Sequence, residues 1–120
     1  MITKYTESHE WVSIEGTTAT VGITEYVQDE LGDIIFAELP EVGKDVEAEE
    51  NIAILESTMT AYNIYTPVSG KVIEVNENVC DAPELINQFP EGQGWLFKIT
   101  LSFPEELDIL MDQDEYLSSF

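Results

Sequence analysis

Apolar and polar residues alternate with period two over much of the chain, and this predicts a mostly β fold. In Thr17–Ile23, Ala19, Val21 and Ile23 share one face, while Thr18, Thr20 and Gly22 share the other. His9–Ile14 reads as a strand before it, and the Glu15-Gly16 turn signal between them predicts a hairpin. The residues ahead of His9 read as a polar lead-in. Trp95–Leu101 is the clearest strand, with Trp95, Phe97, Ile99 and Leu101 on one face. Shorter β runs lie between: Asp33–Leu39 closed by Pro40, Asn51–Ser57, Tyr62–Tyr65 before Pro67, and Ser69–Val75 with Ile73 and Val75 inward. Glu41–Lys44 reads as a loop.

Helical spacing is confined to short stretches. Thr24 is placed to cap a helix that buries Val27 and Leu31 and stops at Gly32. Pro83–Ile86 suggests one helical turn. Ser102 with Glu105 makes a capping box ahead of Leu107, Leu110 and Met111, and Asp112 with Glu115 repeats it for a last helix ending near Phe120. Many short strands with a helical tail predict a β-sandwich or small barrel, one domain over residues 1–120. Gly43–Val46 (GKDV) is echoed by Gly70–Ile73 (GKVI), a hint of pseudo-twofold symmetry.

Composition narrows the partners. Asp and Glu total 25 against 4 lysines and no arginine, a formal charge of −21. Nucleic acid is excluded as a partner, because phosphate binding needs a cationic footprint. Anionic membrane surfaces are disfavoured for the same reason. The acidity either steers the chain toward basic partners or serves solubility. No apolar run approaches the roughly 20 residues that span a bilayer, and the start lacks the basic and apolar runs of a signal peptide. The expected location is cytoplasmic.

Catalytic chemistry is hard to assemble from these residues. His9 is the only histidine and reads as structural; Cys80 is the only cysteine and has no cationic neighbour in sequence. Metal-ligand spacings and phosphate-cradling glycine loops are missing. Most carboxylates fall in runs such as Glu47–Glu50 and Asp112–Glu115, which read as solvated faces. The chain is expected not to be an enzyme.

Four segments carry a family resemblance: Ser8–Val12 (SHEWV), Ala19–Gly43, Leu55–Asn76 (LESTMTAYNIYTPVSGKVIEVN), and the stretch from Pro83-Glu84-Leu85-Ile86-Asn87 to Gly94–Ile99. In order and spacing the chain resembles the glycine cleavage H proteins of the lipoyl-domain superfamily. The resemblance implies a barrel-sandwich hybrid with short helices and a C-terminal helical tail. It also implies a hairpin whose apical lysine carries lipoate. Such a carrier passes an aminomethyl group from the P protein to the T protein and is reoxidised by the L protein, catalysing none of these steps itself. The implied partners are the P, T and L proteins and the enzymes that attach lipoate, with the carrier a monomer.

At that position the chain departs from the pattern. Alignment without gaps puts Met59 where the family has its lysine, flanked by Glu56, Ser57, Thr58, Thr60 and Ala61. A thioether has no nitrogen with which to form an amide, and Thr58 and Thr60 offer only hydroxyls. Lipoate is therefore the family's cofactor, and none is expected on this chain. Propensity alone gives no tight turn at Thr58–Thr60, which lacks Gly, Asn and Pro; that turn rests on the resemblance. The chain is then a paralogue that has lost its arm, or a working carrier with a substitution introduced. The alternative to a disabled carrier is a lipoate-free binding or regulatory module.

Overall fold

Alternation along the strands gives each sheet one apolar face, and the two faces close on a shared core. The computed structural model describes residues 2–119, so Phe120, near which the last helix was expected to end, lies outside the described residues. The order is β1 (Ile2–Tyr5), β2 (Glu10–Glu15), β3 (Thr18–Ile23), α1 (Glu25–Leu31), β4 (Ile34–Glu38), β5 (Asp45–Val46), β6 (Asn51–Ser57), β7 (Ala61–Tyr65), β8 (Gly70–Val75), α2 (Glu77–Asp81), α3 (Glu84–Gln88) and β9 (Phe97–Leu101). A 3-10 helix over Pro104–Ile109 and α4 (Gln113–Ser118) follow. The strands form a six-stranded sheet in the order β1-β2-β3-β9-β8-β5 and a three-stranded sheet in the order β4-β6-β7. Every pairing among the described residues is antiparallel. The fold is mostly β, in two sheets with short helices and a helical C-terminal end, as the sequence predicts.

The core joins both layers. Val12, Ala19, Val21, Ile23, Val72, Phe97 and Ile99 of the large sheet are fully buried with Leu55 and Ile64 of the small one. Each of these side chains larger than alanine contributes about 1.5–3 kcal/mol by leaving water. A second cluster of Tyr5, Trp11 and Tyr116 ties α4 to β1 and β2, with the rings of Tyr5 and Tyr116 stacked at 4.7 Å. The two echoed segments lie side by side: Asp45 pairs with Lys71, Val46 with Gly70, and the Gly43 amide donates to Val72 at 2.7 Å.

Several local expectations change. The lead-in contains a strand, β1, whose Tyr5 is buried. Ile73 faces solvent and Val72 takes the core position, because the β8–β9 register shifts between Val72 and Glu74. Trp95 precedes β9 and packs on the Tyr5–Trp11–Tyr116 cluster, while Leu96 enters the main core. Thr24 sits at the α1 N-cap, but its hydroxyl bonds Tyr116 at 2.8 Å instead of the helix amides. The Ser102–Glu105 box does not form; that stretch winds as a 3-10 helix capped at Phe103. The Asp112–Glu115 box forms in full.

Candidate functional site

The small sheet projects one hairpin, β6–β7, and its apex is the exposed segment of residues 58–60. The strands stay paired to the end, with Glu56 opposite Ala61. Ser57 then does the work that glycine or asparagine does in most tight turns. Its amide donates to the Thr60 carbonyl at 2.8 Å. Its hydroxyl oxygen accepts from the amides of Met59 and Thr60, both at 3.1 Å. A serine side chain thus closes the turn by binding backbone groups two and three residues on.

Met59 sits at the apex, 76% exposed, and Glu56, Thr58, Thr60 and Ala61 around it are exposed as well. Ser57 alone of the group is buried. The apex rests on the loop after α1. Thr58 donates its amide to the Asp33 carbonyl at 3.0 Å. The Met59 sulfur lies over Gly32, 3.3 Å from where a Cβ on that residue would stand. Gly32 ends α1 at φ +79°, a conformation that glycine adopts without strain.

That loop is braced in turn by α3. Asn87 donates to the Gly32 carbonyl at 2.8 Å and to the Gln28 side chain at 3.0 Å, and it accepts from the Ile34 amide at 2.8 Å. One amide side chain therefore fixes both ends of the Gly32–Ile34 segment on which the apex leans.

The apex has no basic neighbour in its own sheet. Lys4, Lys71 and Lys98 lie on β1, β8 and β9 of the large sheet, and Lys44 lies in the loop before β5. Lys44 reaches Glu50 at 3.4 Å, and Lys98 reaches Glu74 at 3.8 Å while lying 5.0 Å from the Trp95 ring centre. The apex itself presents a thioether and two hydroxyls.

One carboxylate among the 25 acids is enclosed, which their number alone does not reveal. Glu10 is 1% exposed; burial pushes its carboxyl above the ordinary value, against hydrogen bonds from Ser8 and Thr6 at 2.6 Å each. The third donor to Glu10 is the Tyr65 amide at the end of β7. Tyr62 of the same strand donates its hydroxyl to the Ser8 carbonyl at 2.7 Å, and burial first, then the Glu10 charge, pushes that phenol up to about 12. The SHEW segment is thus a second anchor for the hairpin. His9, at φ +68°, turns the chain there and shares a 2.7 Å hydrogen bond with the Tyr116 hydroxyl. Burial raises the Cys80 thiol, the opposite of what a reactive thiolate needs. Among the described residues no cluster of three or more His, Cys, Asp or Glu could hold a metal, and no helix is long and apolar enough to cross a membrane.

Comparison with known proteins points one way. A family model described as glycine cleavage H-protein matches residues 3–120. The glycine cleavage system H protein of Thermotoga maritima is 52% identical over 113 residues, spanning 94% of this chain and 91% of its own. That of Vibrio vulnificus is 52% identical over 117 residues, spanning 97% and 93%. The crystal structure of a glycine cleavage system H protein from Mycobacterium marinum superposes with a TM-score of 0.89 at 36% identity, covering 97% of this chain and 94% of that one.

Proposed function

The chain belongs to the glycine cleavage H-protein family, whose members are lipoyl carriers and not catalysts, and from that membership we propose that it is an H-type scaffold working without a lipoyl arm. The observation that carries the proposal is the chemistry of the β6–β7 apex. Residues 56–61 read Glu, Ser, Thr, Met, Thr, Ala, with no primary amine among them. The side chains there do not fit lipoate attachment, because an amide needs a nitrogen that can be acylated and lose a proton.

The family works with the P, T and L proteins of glycine cleavage. This chain's part is that of a lipoate-free binding module, docking on those proteins or on lipoate-attaching enzymes through the hairpin end. It acts as a single lipoyl-type domain over residues 1–120, with the cytoplasm as the proposed compartment. A monomer is supported by the charge of −21, which opposes self-association.

The test is intact-mass measurement after co-expression with a lipoate-attaching enzyme and lipoate. The expected result is an unmodified chain and a Met59→Lys variant that gains one lipoyl group. A lipoyl adduct on the unaltered chain would overturn the proposal, and so would a Met59→Lys variant that stays unmodified.

A further inference from the structure

The hairpin apex gathers exposed apolar surface beside two exposed acids, Asp33 and Glu56. Beside Met59, the near end of β4 leaves Ile35 and Phe36 exposed, at 59% and 50%. Ile34 pairs with Ser57 and Phe36 with Glu56, so Ile35 is the extra residue of a β-bulge at the strand's start. Bulge and hairpin apex therefore share one corner of the small sheet. Glu56 stands opposite Phe36, Asp33 holds Thr58, and Asp29 and Glu30 occupy the last turn of α1. Acids at a helix C-terminus are disfavoured by the helix dipole, and that turn has no basic residue to offset them.

We propose that this corner is a decoy for lipoate-attaching enzymes: Met59 enters the channel that such an enzyme offers to an acceptor lysine, and the enzyme is held without reacting. The proposal rests on the reading above and adds the partner and the consequence. Lysine and methionine are both unbranched, and Met59 from Cβ through Sδ to Cε follows the course of a lysine stem, lacking only the terminal amine. A channel built to pass that stem must contact its methylenes, and a flexible thioether packs there at no cost of desolvating an ammonium. The turn is locked by Ser57 through backbone groups, so the side chain is presented in a fixed frame. The exposed acids Asp33 and Glu56 beside the apex select an enzyme face rimmed by lysine or arginine. A second copy of this chain is the wrong occupant, since it would bring the same acids to the same place.

The experiment uses the full chain as an inhibitor. A lipoate–protein ligase is supplied with lipoate, ATP and a lysine-bearing glycine cleavage H protein as acceptor, and acceptor lipoylation is followed as this chain is added. The expected result is a rise in the apparent KM for the acceptor with an unchanged maximal rate. Met59→Gly should weaken inhibition by about tenfold, the loss expected for one buried side chain of this size. Glu56→Lys should weaken it most at low salt. Inhibition untouched by Met59→Gly, or absent at concentrations where Met59→Lys is itself lipoylated, overturns the decoy and leaves the scaffold reading standing. A Met59→Lys variant that is not lipoylated removes both.

Discussion

Asn87 holds Ile34 by its backbone: the side-chain oxygen accepts the Ile34 amide at 2.8 Å while the side-chain nitrogen reaches back to the Gly32 carbonyl at 2.8 Å. Between them stands Asp33, whose carbonyl takes the Thr58 amide. The hairpin apex is thereby connected to α3 through three backbone contacts. Asn87→Ala should cost about 2–3 kcal/mol, because a half-buried amide and carbonyl lose their partners together. Denaturant unfolding measures this, and amide exchange at residues 34 and 58 should accelerate in the same variant.

Ser57→Ala leaves the strands paired but removes the acceptor for Met59 and Thr60. A loss of about 1–2 kcal/mol is expected, with exchange accelerating at residues 59 and 60. Ser57→Thr keeps the hydroxyl and should recover most of the loss. Equal exchange in Ser57→Ala and the parent would show that the side chain does not set the turn.

Gly70 lies where β8 passes β9 with no room for a side chain. A Cβ there would stand 1.8 Å from the Thr100 carbonyl oxygen. Gly70→Ala must force the strands apart, and a destabilisation of at least about 3 kcal/mol is expected. Gly16→Ala is the control: no atom lies within 4 Å of its Cβ, so only the cost of a positive φ remains. Thermal unfolding of the pair should rank Gly70→Ala far below Gly16→Ala.

Glu10 makes stability pH-dependent in a direction opposite to most carboxylates. Its folded pKa is raised by burial, so the folded state binds the proton more tightly than the unfolded state. Stability from this group is full below the unfolded pKa and is lost as pH rises through the folded one. Glu10→Gln cannot ionise, so its stability relative to the parent should rise across that window and level off above it. Urea titrations of both proteins at several pH values between about 4 and 8 read out the difference. A gap that is constant with pH would remove the assignment.

Much of the fold is legible in the residues. Asn51–Ser57 emerges with its expected bounds, and Ala19, Val21 and Ile23 turn inward as their alternation requires. What failed to show itself did so for physical reasons. Ile2–Tyr5 has one buried residue, so its pattern is too thin to stand out from a polar segment. Alternation points Ile73 inward because it cannot register the shift that moves it out. Glu10 is one acid among 25, and charge counting does not tell which is enclosed; Thr6 and Ser8, four and two residues before it, were the available sign. At the apex the identity of residue 59 could be read directly, but the turn could not. Its signal is the serine at its foot, which binds backbone instead of relaxing it.

Because Ser57 grips the apex through amide protons that every residue except proline possesses, the scaffold is indifferent to which side chain stands at 59. An exchange of lysine for methionine there would pass unseen by proteases and chaperones, which sense unfolding and not reactivity. Chemical competence and folding competence are inherited separately at this position, so a single codon change can silence the first while the cell goes on keeping the protein at full abundance.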